Sequence, residues 1–217
     1  MLDFSILVDH HKEFLSGFMT TIEVSVLALI ASFILGLIIA VMRISPISIL
    51  KAIATAYVEF VRNTPLLIQV FFFYFGLPAI GIQLNPFLSG TFGLTIYTAS
   101  FIAEAIRAGI QSVPNGQMEA GRASGLSYIQ TMYYIILPQA VKLVIPPIGN
   151  QFLNLVKNSS ILGVISGTDL MYQGDLISAS TFVVFDVYIF VGIFYLILTI
   201  PLSFLVRYLE RRLAVSG

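Results

Sequence analysis

Glu104 stands inside an otherwise apolar run, "YTASFIAEAIRAGI", residues 97–110. At helical spacing Tyr97, Ser100, Phe101 and Ala108 share its face. A carboxylate, a hydroxyl and two rings can take an ammonium or guanidinium ion through charge-assisted hydrogen bonds and cation–π contacts. The same carboxylate can equally pair with Arg107 at i, i+3. A second polar group, Lys157-Asn158-Ser159-Ser160, interrupts another apolar run. Asn158, Ser159 and Ser160 can hydrogen-bond an amino acid's α-amino and α-carboxylate groups, or hydrogen-bond between helices. Lys157 can neutralise a carboxylate or line a polar interior. A third group is Arg62-Asn63-Thr64-Pro65, which reads either as helix-start chemistry or as a gate. Catalysis is poorly supported. The chain has no Cys, and its two His, His10 and His11, are adjacent near the N-terminus, so no metal set is expected. Ser159 has no His to activate it within these apolar runs.

The elements that carry these groups belong in a bilayer. Of the 217 residues 58% are hydrophobic and only 10% charged, against about 25% charged in soluble domains. The formal net charge of zero gives no basic field for nucleic acid. The hydropathy pattern predicts an all-α polytopic membrane protein with five transmembrane helices. The spans run roughly over 17–43, 57–80, 90–110, 139–165 and 183–206, with loops at 44–56, 81–89 and 166–182. Pro146-Pro147 predicts a bend or break in the fourth span. A charge at the bilayer centre costs about 2.5–3.5 kcal/mol on insertion scales, so Glu104 needs either a partner or a task. Arg43, Lys51, Arg62, Arg107, Arg122, Lys142, Arg207, Arg211 and Arg212 all flank one side, which the positive-inside rule makes cytoplasmic. The N-terminus is then outside and the C-terminus inside. Residues 1–16 form an extracytoplasmic tail, 17–206 the membrane domain, and 207–217 a cytoplasmic tail.

Residues 112–137, between spans 3 and 4, stay out of lipid. "NGQMEAGRASG" (115–125) is rich in small residues that let another backbone approach. Asn115 is a candidate N-cap and Gly125 a helix stop. The pattern predicts a short helix, a turn at Gly125-Leu126-Ser127 and an amphipathic return to the membrane.

In this stretch Glu119-Ala120-Gly121, three residues, Gly125, nine residues, Ile135, one residue and Leu137-Pro138 resemble the EAA signature of ABC importer permeases. Gly121 stands where that signature has Ala. "EFVRNTPLLIQVFF" (59–72), "YTASFIAEAIRAGIQSVPNGQMEAGRASG" (97–125), "ILPQA" (136–140) and "LVKNSSILGVI" (155–165) are similar to the polar amino-acid uptake branch, the His/Glu/Gln/Arg type. The resemblance implies a permease subunit of the bacterial cytoplasmic (inner) membrane, and not an enzyme. It would import polar amino acids, with basic ones (arginine, histidine, lysine) expected first and glutamine or glutamate as the alternative. An ATPase-independent channel or intramembrane enzyme is the alternative of another class. Glu119, Ala120, Gly121, Arg122, Ser124, Gly125 and Leu126 would form the coupling helix that docks on the ATPase. No Gly-x4-Gly-Lys-Ser/Thr occurs, so ATP and Mg would sit on two partner ATPase subunits. A second permease chain and an extracytoplasmic amino-acid-binding protein complete the implied assembly.

Overall fold

The computed structural model describes residues 2–214, with side chains through Arg212. Ten α-helices follow one another: α1 Ser5–Asp9, α2 His11–Ile44, α3 Ser48–Arg62, α4 Leu66–Phe71, α5 Pro86–Gln111, α6 Asn115–Ala123, α7 Tyr128–Thr131, α8 Leu137–Asn158, α9 Leu170–Thr181 and α10 Phe185–Ala214. There is no strand among the described residues. α4 continues as a π segment, Phe72–Gly76, and a 3₁₀ turn, Leu77–Ile80. A second π segment, Met132–Ile136, joins α7 to α8, and α8 tightens into 3₁₀ over Ser159–Ile165.

Local chemistry sets the ends. Pro46 bars Ser45 from helical geometry, and Ser45 ends α2 with φ −61° and ψ 143°. Asn85 caps α5 by accepting from the Leu88 N–H at 2.8 Å, with Pro86 in the first turn. Asp169, fully buried, caps α9 by accepting from Met171 and Tyr172 N–H groups. α5 forms the middle of the bundle. Its Ser, Thr, Gly and Ala residues let α2 and α8 close in, and its Leu94, Ile102 and Ala103 are fully buried. The opposite faces of α2 and α10 expose Leu27, Ile30, Ile34, Ile197, Ile200 and Phe204, a surface suited to lipid.

α2, the continuous run 128–165 and α10 are each long and apolar enough to cross a bilayer. α3 and residues 66–80 qualify only as a pair, bent by 105°. α5, at 26 residues, is long enough, but its polar residues keep it out of that apolar class. Four expectations need correction. Most of the expected loop 166–182 is helix α9, Leu170–Thr181. Residues 48–56 are not loop but the first part of α3, whose Ala54, Val58 and Val61 are buried at i, i+4, i+7 spacing. The second span does not run straight from Tyr57, because the chain turns at Asn63-Thr64-Pro65. The fourth span is not broken at Pro146-Pro147: α8 stays helical through both. The N-terminal segment 1–16 contains α1 and the start of α2. In the C-terminal segment α10 continues to Ala214, while Met1 and 215–217 lie outside the described residues.

Pro65 brings no N–H to the turn, and side chains supply donors to the carbonyls around it. The Asn63 amide donates to the Glu59 carbonyl and the Thr64 hydroxyl to the Phe60 carbonyl, both at 2.7 Å. Buried Gln69 donates to the Val61 and Thr64 carbonyls at 2.9 and 3.1 Å. In a water-poor setting such satisfaction is obligatory. Gln69→Leu is expected to lower stability by about 1–3 kcal/mol, the cost of stranded buried acceptors. Thermal unfolding in detergent checks it; an unchanged midpoint would show that the turn does not need this bridge.

Candidate functional site

The charges converge on Glu104 from three helices. Arg107, one turn further along α5, donates from Nε to Oε2 at 3.0 Å and from Nη2 to Oε1 at 2.5 Å. Arg43, from the last turn of α2, donates through Nη1 to Oε2. Arg62, which ends α3, brings Nη1 to 4.0 Å from Oε1. The Arg43 side chain is only 9% exposed and that of Glu104 22%, so water screens the cluster weakly. Buried Nε of Arg43 has no hydrogen-bond partner. Arg107 also donates through Nη1 to the side-chain amide oxygen Oε1 of Gln111. Both carboxylate oxygens are therefore taken up by guanidinium groups, with positive charge in excess.

Tyr97, Ser100 and Phe101 lie on α5 before Glu104. The rings of Tyr97 and Phe101 sit 4.9 Å apart, centroid to centroid. The Arg62 guanidinium lies 5.1 Å from the centre of the Phe101 ring. Ser100 is fully buried and donates to the Tyr97 carbonyl at 2.6 Å, so its hydroxyl proton is already used. On the same helix pair, the Tyr57 hydroxyl donates to the Ile96 carbonyl at 2.7 Å and holds α3 against α5.

Asn158 and Ser160 lie elsewhere. They line a cavity of about 420 Å³ together with Leu66, Met171 and Asp175, and none of Tyr97, Ser100, Phe101 or Glu104 lines it. Ser160 donates to the Lys157 carbonyl at 2.9 Å. Ser159 is buried and donates to the Val156 carbonyl at 2.8 Å, and Lys157 is exposed. Arg62, Asn63 and Thr64 sit at the α3–α4 turn, where their bonds hold the turn together. Reading the sequence missed Arg43 and Asp175. Arg43 lies 61 residues from Glu104, and only its lack of a carboxylate on its own helical face hinted at a distant partner.

Within 112–137, α6 is followed by a tight turn and by α7, which runs on through the π segment into α8. Pro114, not Asn115, occupies the cap position of α6, and Asn115 is the first helical residue. Gly125 has φ +85°, a conformation that glycine adopts without strain. The Leu126 N–H donates to the Gly121 carbonyl at 3.2 Å and the Gly125 N–H to that of Arg122 at 3.1 Å, closing a Schellman motif. Arg122 Nη1 adds a bond to the Leu126 carbonyl at 3.0 Å, and Ser124 Oγ one to Ala120 at 2.9 Å. Ser127 and Gln130 then form a capping box that starts α7. Gly121 is buried where a Cβ would stand 2.5 Å from Thr131 Cγ2, which explains a residue smaller than Ala there. Glu119, Ala120, Arg122 and Ser124 are exposed on one small-residue surface, and none of the described residues covers them.

Three comparisons bear on this geometry. The family model for "binding-protein-dependent transport system inner membrane component" matches residues 18–215. The chain is 63% identical over 215 residues to a probable glutamine ABC transporter permease protein of Bacillus subtilis (strain 168), covering 99% of this chain and 100% of that one. It is 36% identical over 203 residues to a glutamine transport system permease protein of Escherichia coli (strain K12), covering 93% of each. Among solved structures it resembles an amino acid ABC transporter crystallised with histidines, at 38% identity and a TM-score of 0.92, covering 98% of this chain and 99% of that one.

Removing the carboxylate tests what the cluster is for. Glu104→Gln leaves three guanidinium groups facing a neutral amide and is expected to lower stability by about 1–3 kcal/mol. Adding Arg43→Met should recover part of the loss, since one unpaired buried cation is then gone. Thermal unfolding of the single and double variants reads both effects. No loss in the single variant would mean that the ion cluster does not hold these helices.

Proposed function

Because the chain belongs to the family of binding-protein-dependent transport system inner membrane components, the permease subunits of ABC importers, we propose that it conducts glutamine or a closely similar neutral polar amino acid across the bacterial inner membrane. The observation that carries this reading is the 63% identity, over nearly the whole chain, to a probable glutamine permease. The basic amino acids expected from Glu104 take second place. Glutamine permeases recur among the relatives, and the carboxylate offered for a cationic side chain is engaged by Arg43 and Arg107. A specific finding keeps histidine as a second reading: the similar solved transporter at 38% identity was crystallised with histidines.

The path has two candidate stations. Asn158, Ser159 and Ser160 stand at or beside the cavity, and Tyr97, Ser100, Phe101 and Glu104 line α5 towards the cytoplasmic end. Arg62, Asn63, Thr64 and Lys157 are weaker candidates for a gate. Five crossings follow if α5 and residues 66–80 each span with α2, α8 and α10. That count puts the two termini on opposite sides, and the placement of the basic residues favours the N-terminus outside and the C-terminus in the cytoplasm. Few spans in one chain favour two permease chains around a shared path, each rocking against the other.

The α6 turn is the proposed drive point. Glu119, Ala120, Gly121, Arg122, Ser124, Gly125 and Leu126 present a rigid, capped knob. It would seat in a groove of a cytoplasmic ATPase subunit, one for each permease chain. ATP and Mg bind on those subunits, and ATP binding and hydrolysis there supply the work. The loaded amino-acid-binding protein would dock outside on loops 81–89 and 166–182.

Glu119→Lys reverses the charge of an exposed residue on this knob without touching its internal bonds. It is expected to lose co-purification of the ATPase subunit and ATP-driven uptake of labelled glutamine in reconstituted vesicles, with folding unchanged. Gly125→Trp should act in the same direction, but it also strains a left-handed position. Full uptake and co-purification by Glu119→Lys would rule out docking through this surface.

A further inference from the structure

We propose that Asp175 is the ammonium anchor of the permease: it receives the substrate's α-ammonium group in the cavity shared with Asn158 and Ser160. This deepens the amino-acid importer reading and rests on it.

The cavity, about 420 Å³, lies within the range of about 300–1,000 Å³ typical of small-molecule sites. Three elements converge on it. Leu66 opens α4, Asn158 and Ser160 lie at the end of α8 and the 3₁₀ turn that follows, and Met171 and Asp175 come from α9. Asp175 is the one ionisable side chain in its lining, so the cavity offers a single fixed negative charge. Tyr188 of α10 donates its hydroxyl to Asp175 Oδ1 at 2.5 Å and fixes the carboxylate's orientation. Oδ2 has no protein partner among the described residues.

A carboxylate held by one oxygen and unpaired at the other suits one N–H donor of an ammonium ion. Asn158 adds an amide with both donor and acceptor, and Ser160 a hydroxyl oxygen. The Asn158 amide N–H suits the substrate's carboxylate, and the Asn158 and Ser160 oxygens can accept from a polar side chain. The lining contains no second carboxylate for a guanidinium or second ammonium. The arrangement therefore selects zwitterions with neutral side chains. Glu104 is the contrasting case, with arginines on both of its oxygens.

The test uses the permease assembled with its ATPase and binding protein in proteoliposomes. Asp175→Asn keeps the shape and removes the charge. Its glutamine uptake is expected to fall about tenfold or more, the loss of one charge-assisted contact. ATPase stimulation by loaded binding protein should persist; its loss in Asp175→Asn would overturn the anchor and make Asp175, which lies in the proposed docking segment 166–182, a docking residue. Asp175→Glu should restore part of the uptake. Tyr188→Phe, which cuts the tie but leaves the carboxylate, should keep the greater part. Asp186→Asn, a carboxylate outside the cavity, should behave as wild type. Asp175→Asn uptake within twofold of wild type would overturn the anchor while leaving the importer reading standing. Equal losses in Asp175→Asn and Tyr188→Phe, with lowered thermal stability in both, would overturn it too, making Asp175 a helix tie. If the wild-type assembly moves no amino acid at all, the importer reading fails and the anchor falls with it.

Discussion

The shared ion cluster at Glu104 sets the geometry on which the rest of the chain depends. One carboxylate joins the end of α2 through Arg43, the end of α3 through Arg62 and its own helix through Arg107. Two helix ends are thereby pinned to one turn of α5. With α3 stopped at Arg62, the chain must leave at a new angle, and it does so at 105°. That turn delivers Leu66 to the wall of the cavity lined by Asn158, Ser160 and Asp175. The cluster and the cavity are separate places, joined by the path of the backbone between Arg62 and Leu66. A charge network that holds helices can thus shape a cavity that it does not line.

The second constraint is the absence of water to satisfy backbone groups. Several irregular points in the bundle have a side chain assigned to them. Gln69, Asn63 and Thr64 serve the α3–α4 turn, and Asp169 the start of α9. Ser159 and Ser160 return their hydroxyl protons to carbonyls three residues back as α8 tightens. These residues explain how a highly apolar chain can contain breaks at all. They also show why polar residues in such a chain are ambiguous: Asn63 and Thr64 could be read as a gate, yet each is engaged in holding a turn.

Features written in local sequence were legible before the structure. The long apolar runs became α2, α8 and α10, and the small-residue run 115–125 became α6. Gly125 announced the stop of α6 because a left-handed cap favours glycine. Features that depend on distance were not legible. Arg43 and Glu104 are far apart in the chain, and no spacing rule links them. Asp175 looked like one of three exterior acids, since nothing local shows that α9 folds back towards the end of α8. Residues 48–56 looked like loop because Pro46 and Lys51 weigh against a span, although a helix of amphipathic pattern needs no span to pack. Pro146-Pro147 looked like a break because isolated helix rules price two prolines heavily, whereas packing of Val144, Ile148 and Gly149 keeps α8 helical.

Taken together, these features describe a permease whose cationic residues build structure around Glu104 and whose proposed substrate cavity carries one anion and a neutral amide. The central claim is that this chain itself favours a neutral amino acid. Equilibrium binding of labelled glutamine to the purified permease–ATPase complex, with the external binding protein left out, tests it most directly. Unlabelled glutamine should displace the label and unlabelled arginine should not. Displacement by arginine as effective as that by glutamine would contradict the account and return Glu104 to the position of a side-chain ligand.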